Sequence, residues 1–126
     1  MQTETKLTAR LVKSFREMGA EVLNVHGNAQ QAIGWPDCFV CSKLWSGWIE
    51  FKGPKTRLEP HQAHIIKALG KTENIWIIRF DAQKDGNWWI SLTNSNLLLV
   101  TSILMCGTDG QVAAKLLQEL AKLDGY

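Results

Sequence analysis

No hydrophobic run in this chain is long enough to cross a bilayer. The longest apolar stretch, residues 97–100 followed by 103–105, falls far short of the about 20 residues a membrane helix needs. The opening MQTETKLTAR lacks the apolar core of a secretory signal, which leads us to expect a cytoplasmic protein. Three cysteines cannot all pair with one another, and a cytoplasmic address argues against structural disulfides. Repeats, low-complexity tracts and linkers are also missing, so 126 residues read as one domain with a single core. The formal charge of +2 is too small to argue for nucleic acid by itself. Its distribution says more: Lys43, Lys52, Lys55, Arg57, Lys67, Lys71 and Arg79 face only Glu50, Glu59 and Glu73 between positions 43 and 79. A local excess of this kind suits a polyanionic partner, although a solvated surface is the commoner cause.

The spacing of Leu7, Leu11, Phe15 and Met18 predicts an amphipathic helix over 4–18, stopped at Gly19. A short strand follows over 21–25, then a polar loop over 26–34. Residues 37–45 and 48–52 read as a hairpin turning at Ser46-Gly47. Pro60 in a first turn marks a helix over 58–69, and the nearly continuous apolar run 74–80 predicts a central strand covered on both faces. A strand over 88–92 and helices over 96–105 and 112–123 complete an α-β-β-β-α-β-β-α-α order. The fold class is therefore α/β: one domain, a mixed central sheet flanked by helices.

Strand alternation puts Trp48, Glu50 and Lys52 on one face and Ile49 and Phe51 on the other. Charges in such a strand are costly unless paired or holding a metal. In a hairpin turning at Ser46-Gly47, Asp37 pairs roughly with position 56. A bulge or the strand twist is needed to bring it level with Glu50 and Lys52. Two close carboxylates repel unless a proton or divalent cation lies between them, and oxygen ligands suit a hard ion such as Mg²⁺. A nearby lysine can steady or deprotonate an attacking water. Cys38-x-x-Cys41 with His61-x-x-His64 has zinc-like spacing, but two cysteines three apart on one strand face opposite ways and cannot share an ion.

The joint pattern Pro36-Asp37, hairpin, Glu50-x-Lys52 resembles the PD-(D/E)XK nuclease superfamily. HGNAQQAIGWPD at 26–37, IEFK at 49–52 and EPHQAHIIKALG at 59–70 narrow the resemblance to its virus-type replication-repair (VRR-NUC) group, over about residues 4–93. That resemblance implies a restriction-endonuclease-like α-β-β-β-α-β core and an Mg²⁺- or Mn²⁺-dependent DNA endonuclease leaving 5′-phosphate and 3′-hydroxyl ends. Asp37 and Glu50 would hold the metal with the Phe51 carbonyl and, directly or through water, Glu4. Lys52 would orient or activate water, and Gln62 would reach Lys52 or a water. His26, Trp35, Lys55 and Arg57 become candidate DNA contacts. Short stand-alone members resemble Holliday-junction resolvases of bacteria and phages, which implies branched DNA and a homodimer. LLLVTSILM and the helix bearing Leu116, Leu117 and Leu120 are candidate dimer contacts. A catalytically silent DNA-binding module and an end-dependent or nonspecific nuclease remain as alternatives.

Overall fold

A computed structural model describes residues 4–25 and 34–126, without the side chains of Glu4 and Thr5. Among these residues six strands form one mixed sheet in sequence order: β1 (Glu21–Asn24), β2 (Cys38–Cys41), β3 (Ser46–Lys52), β4 (Ile75–Ala82), β5 (Trp88–Thr93) and β6 (Leu99–Met105). All neighbours are antiparallel except β3 and β4, which run parallel because α2 (Pro60–Leu69) carries the chain back between them. Helices α1 (Glu4–Glu17) and α3 (Asp109–Leu123) complete the domain.

The two faces of the sheet are covered differently. Leu7, Leu11 and Phe15 of α1 and Val112, Leu116 and Leu120 of α3 join Ile49, Phe51, Ile78 and Phe80 in the main core. Ile66 of α2 packs on Ile75 and Ile77 from the other side, with Trp48, Leu58 and Leu69 around them. Trp48, Glu50 and Lys52 therefore share the α2 face, as strand alternation requires. Strand β4, the expected central strand, is covered on both faces along its first half.

Two expectations fail. Residues 99–105 form a strand, not part of a helix. The Asn94 carboxamide oxygen accepts the N–H groups of Asn96 and Leu98, and Leu97 takes a positive φ of 64°, which turns the chain back along β5. The β-branched Val100, Thr101 and Ile103 then suit the ladder. The order is α-β-β-β-α-β-β-β-α. The hairpin also turns earlier than expected. Ser42 Oγ donates to the Trp45 carbonyl and accepts from the Trp45 N–H, so the turn spans 42–45 and Ser46 and Gly47 belong to β3. Burial of Trp45 in the core pulls it out of the strand.

The C-terminal segment locks this arrangement. Trp45 and Trp76 both donate their indole N–H to Asp124 Oδ2, at 2.6 and 2.9 Å, and the Tyr126 hydroxyl donates to the Ser46 carbonyl. Arg10 meets Asp109 with two hydrogen bonds and ties α1 to α3. Asp124→Ala strands two buried indole donors; the expected loss is about 2–3 kcal/mol, read by denaturant unfolding with no change in β-sheet circular dichroism.

Candidate metal-binding active site

The shortened turn sets the register that matters. Cys38 pairs with Ile49 and Cys41 with Ser46, so Asp37 arrives just beyond the ladder, beside Glu50 and Phe51 rather than near position 56. No bulge is needed. Asp37 Oδ2 accepts the Phe51 backbone N–H at 2.7 Å. Upstream, Gly34 has a φ of +85°, and a Cβ there would lie 2.5 Å from the His61 ring. Only glycine fits, and it brings the Gly-Trp-Pro turn against α2.

Glu50 is 2% exposed and Lys52 8% exposed. Glu50 Oε2 accepts from two side chains, Lys52 Nζ at 3.3 Å and Gln62 Nε2 at 3.3 Å, and the Asp37 backbone N–H also favours the ionised carboxylate. Glu50 Oε1 is buried with no hydrogen-bond partner. Gln62 holds Glu50 rather than Lys52, a correction that follows from its second bond. Its Oε1 accepts the Glu59 N–H in a capping box at the start of α2, which aims the amide N–H at the carboxylate.

Burial, then the charge of Asp37, pushes the Glu50 carboxyl up from the ordinary 4.5 to about 7, while Lys52 pulls it down. A carboxyl raised on folding contributes stability below its unfolded pKa and loses it as pH rises through the folded one. The metal-free protein should therefore lose on the order of 3 kcal/mol between pH 4.5 and 8 through this group. Unfolding in chelator across that range checks it, and Glu50→Gln should flatten the profile. Cys38 lies in the core, its thiol pushed up to about 12 by burial and then by Asp37 and Glu50. Cys41 is exposed. The two cysteines thus diverge, as alternation requires.

Around this centre, Lys55 and Arg57 are exposed on the loop after β3, and Trp35 is partly exposed with its ring 5.6 Å from that of Trp48. His26 and the side chain of Glu4 lie outside the described residues. Sequence reasoning missed Arg79, the β4 partner of Lys52, whose guanidinium donates to the carbonyls of Gly53 and Thr56 and fastens the loop bearing Lys55. Its signal was an arginine inside the apolar run IWIIRF. A cavity of about 650 Å³ lies between α1 and the β4–β5 hairpin; it touches this region through Gly53 and Pro54, and neither carboxylate lines it.

Among the described residues no three His, Cys, Asp or Glu side chains cluster as metal ligands. Asp37 and Glu50 form a two-carboxylate set, which suits a hard cation that keeps several waters. The orphaned Glu50 Oε1 is the atom such an ion would satisfy, so the donor set fits. No helix among the described residues is long and apolar enough to cross a membrane. No protein-family model, curated protein or solved structure matches the chain.

Proposed function

We propose that this domain is an Mg²⁺- or Mn²⁺-dependent DNA endonuclease on a PD-(D/E)XK, VRR-NUC-like core, acting on branched or four-way DNA and leaving 5′-phosphate and 3′-hydroxyl ends. One observation carries the reading: a buried glutamate with one oxygen unpartnered beside a lysine and a second carboxylate. Asp37, Glu50, the Phe51 carbonyl and Glu4 would hold the cation. When bound, it supplies Lewis-acid stabilisation of charge on the phosphodiester.

The chain's own groups do the rest. Gln62 and Lys52 hold Glu50 Oε2, which leaves Oε1 for the ion. The Lys52 ammonium orients the attacking water and offsets charge developing on the phosphoryl oxygens. The Phe51 N–H fixes Asp37. Lys55 and Arg57, with Trp35 and His26 nearby in sequence to Asp37, would meet the DNA. Phosphate contacts give affinity without reading sequence. Retention of Asp37, Glu50 and Lys52 together favours an enzyme over a silent binding module.

The test is labelled four-way, flapped, linear and single-stranded DNA incubated with Mg²⁺ or Mn²⁺ and with chelator. Cleavage of the branched forms, abolished by chelator, is expected. Cleavage only from ends supports the nonspecific alternative, and binding without cleavage supports the silent module. Removing Lys55 or Arg57 should weaken binding to all sequences alike and reduce the salt slope by about 1 each, measured by titration at several salt concentrations.

A further inference from the structure

Strand β3 stops before its neighbour does. Its last residue, Lys52, lies opposite Arg79, while β4 runs on to Ala82. Beyond Arg79, one side of β4 therefore has no strand beside it among the described residues. On the other side Ala82 pairs with Trp88 of β5, and the Gln83 N–H donates to the Asn87 carbonyl. Bonded and non-bonded positions alternate along an antiparallel pair, so the Ala82 N–H and C=O point away from β5, into the gap. The cavity of about 650 Å³ occupies that gap. Gly53 and Pro54, which continue from Lys52, line one side of it, and Leu7 and Arg10 of α1 line another.

The lining decides what chemistry fits. Leu7, Phe80 and Trp88 are apolar and buried. Arg10 lies over the Trp88 ring, 5.4 Å from its centroid, and two hydrogen bonds to Asp109 hold the guanidinium there. That ion pair cancels its own charge, and the exposed Lys84 and Asp81 bring one charge of each sign. A phosphate or carboxylate thus gains little net attraction. A fatty chain would bury the Ala82 N–H and C=O without partners, which is costly. A flat heterocycle with a donor and an acceptor on one edge meets both demands. Nucleobases have that form, and arginine planes stack them. The volume falls within the about 300–1,000 Å³ of small-ligand sites.

We propose that this cavity takes a single unpaired base of the DNA substrate, drawn out of the stack at the branch point beside the cleaved phosphate. The inference rests on the nuclease reading and names what that site recognises in branched DNA. Gly53 follows Lys52 directly, with its Cα about 3.8 Å away, so a base held against Gly53 and Pro54 belongs to a nucleotide close to the cleaved one. Extruding a base costs least where it is already unpaired. Flaps carry such bases, and the exchange point of a four-way junction breaks the stack, whereas continuous duplex offers neither. A preference for branched DNA then follows from the cost of extrusion rather than from base sequence.

The test uses flapped DNA with 2-aminopurine as its first unpaired base. The full chain binds it in chelator and, as Lys52→Ala, with Mg²⁺. At saturation, acrylamide quenching of the 2-aminopurine emission should be largely lost, while the same base in the duplex arm keeps its free-DNA value. Flapped DNA lacking that one base should bind about tenfold more weakly, the worth of one stacked base. Arg10→Lys keeps a charge opposite Asp109 and removes the plane. It should cost a similar factor on intact flapped DNA and nothing on the abasic form. Should that variant unfold, the comparisons without it decide. Equal affinity for intact and abasic DNA, undiminished quenching, or an equal Arg10→Lys loss on both DNAs overturns the proposal, as does an apolar molecule released from the cavity on denaturation. Base protection without cleavage in Mg²⁺ by the unmodified chain removes the nuclease and keeps the pocket. Cleavage without base protection does the reverse, and no binding to any DNA removes both.

Discussion

Replacing Lys52 by alanine is expected to slow DNA cleavage about 10³-fold or more while leaving the dissociation constant for DNA nearly unchanged. The asymmetry follows from placement. Lys52 is almost fully buried, with its ammonium 3.3 Å from Glu50 Oε2, so it contributes little to the outer surface that first meets the phosphate backbone. Its removal has a second effect. Lys52 holds the Glu50 carboxyl down, so the variant binds a proton there more tightly and takes up metal less readily near neutral pH. The rate should therefore be measured with saturating Mn²⁺ across a range of pH, so that slower chemistry is separated from a shift in Glu50 ionisation. Wild-type turnover under those conditions would remove Lys52 from the chemistry.

Asp37→Ala should lose metal binding and cleavage together. Its carboxylate is one of the four groups proposed to hold the cation and fixes the strand through the Phe51 N–H. Asp37→Asn separates these roles, because its amide oxygen still accepts from Phe51 but carries no charge. We expect Asn to retain the fold and Ala to lower stability by about 1–2 kcal/mol, with both variants inactive. Titration calorimetry with Mn²⁺ and a melting curve distinguish them. Normal metal affinity in either variant would show that the two acids do not share an ion.

The face carrying Trp48, Glu50 and Lys52 was legible in the sequence because alternation in a strand is a strict geometric rule. The level of Asp37 was not. Ser46-Gly47 is a good local turn pair, yet burial of Trp45 and the Ser42 hydroxyl placed the turn earlier, and this four-residue choice sets the register of the site. Residues 97–105 were ambiguous for a related reason: a short apolar run fits a buried helix or a strand equally, and the decision came from the Asn94 side chain. Gln62 was visible as an amide on an apolar helix face, but its target depended on the capping bond to Glu59. Arg79 and Asp124 act on groups 23 or more positions away in sequence, which no local pattern encodes.

The most direct measurement is anomalous scattering from crystals soaked in Mn²⁺. The account predicts one strong peak between the Asp37 carboxylate and Glu50 Oε1, absent from Glu50→Gln crystals treated identically. Ordered crystals that take up manganese elsewhere, or that leave the space between those two oxygens without a peak, would contradict it.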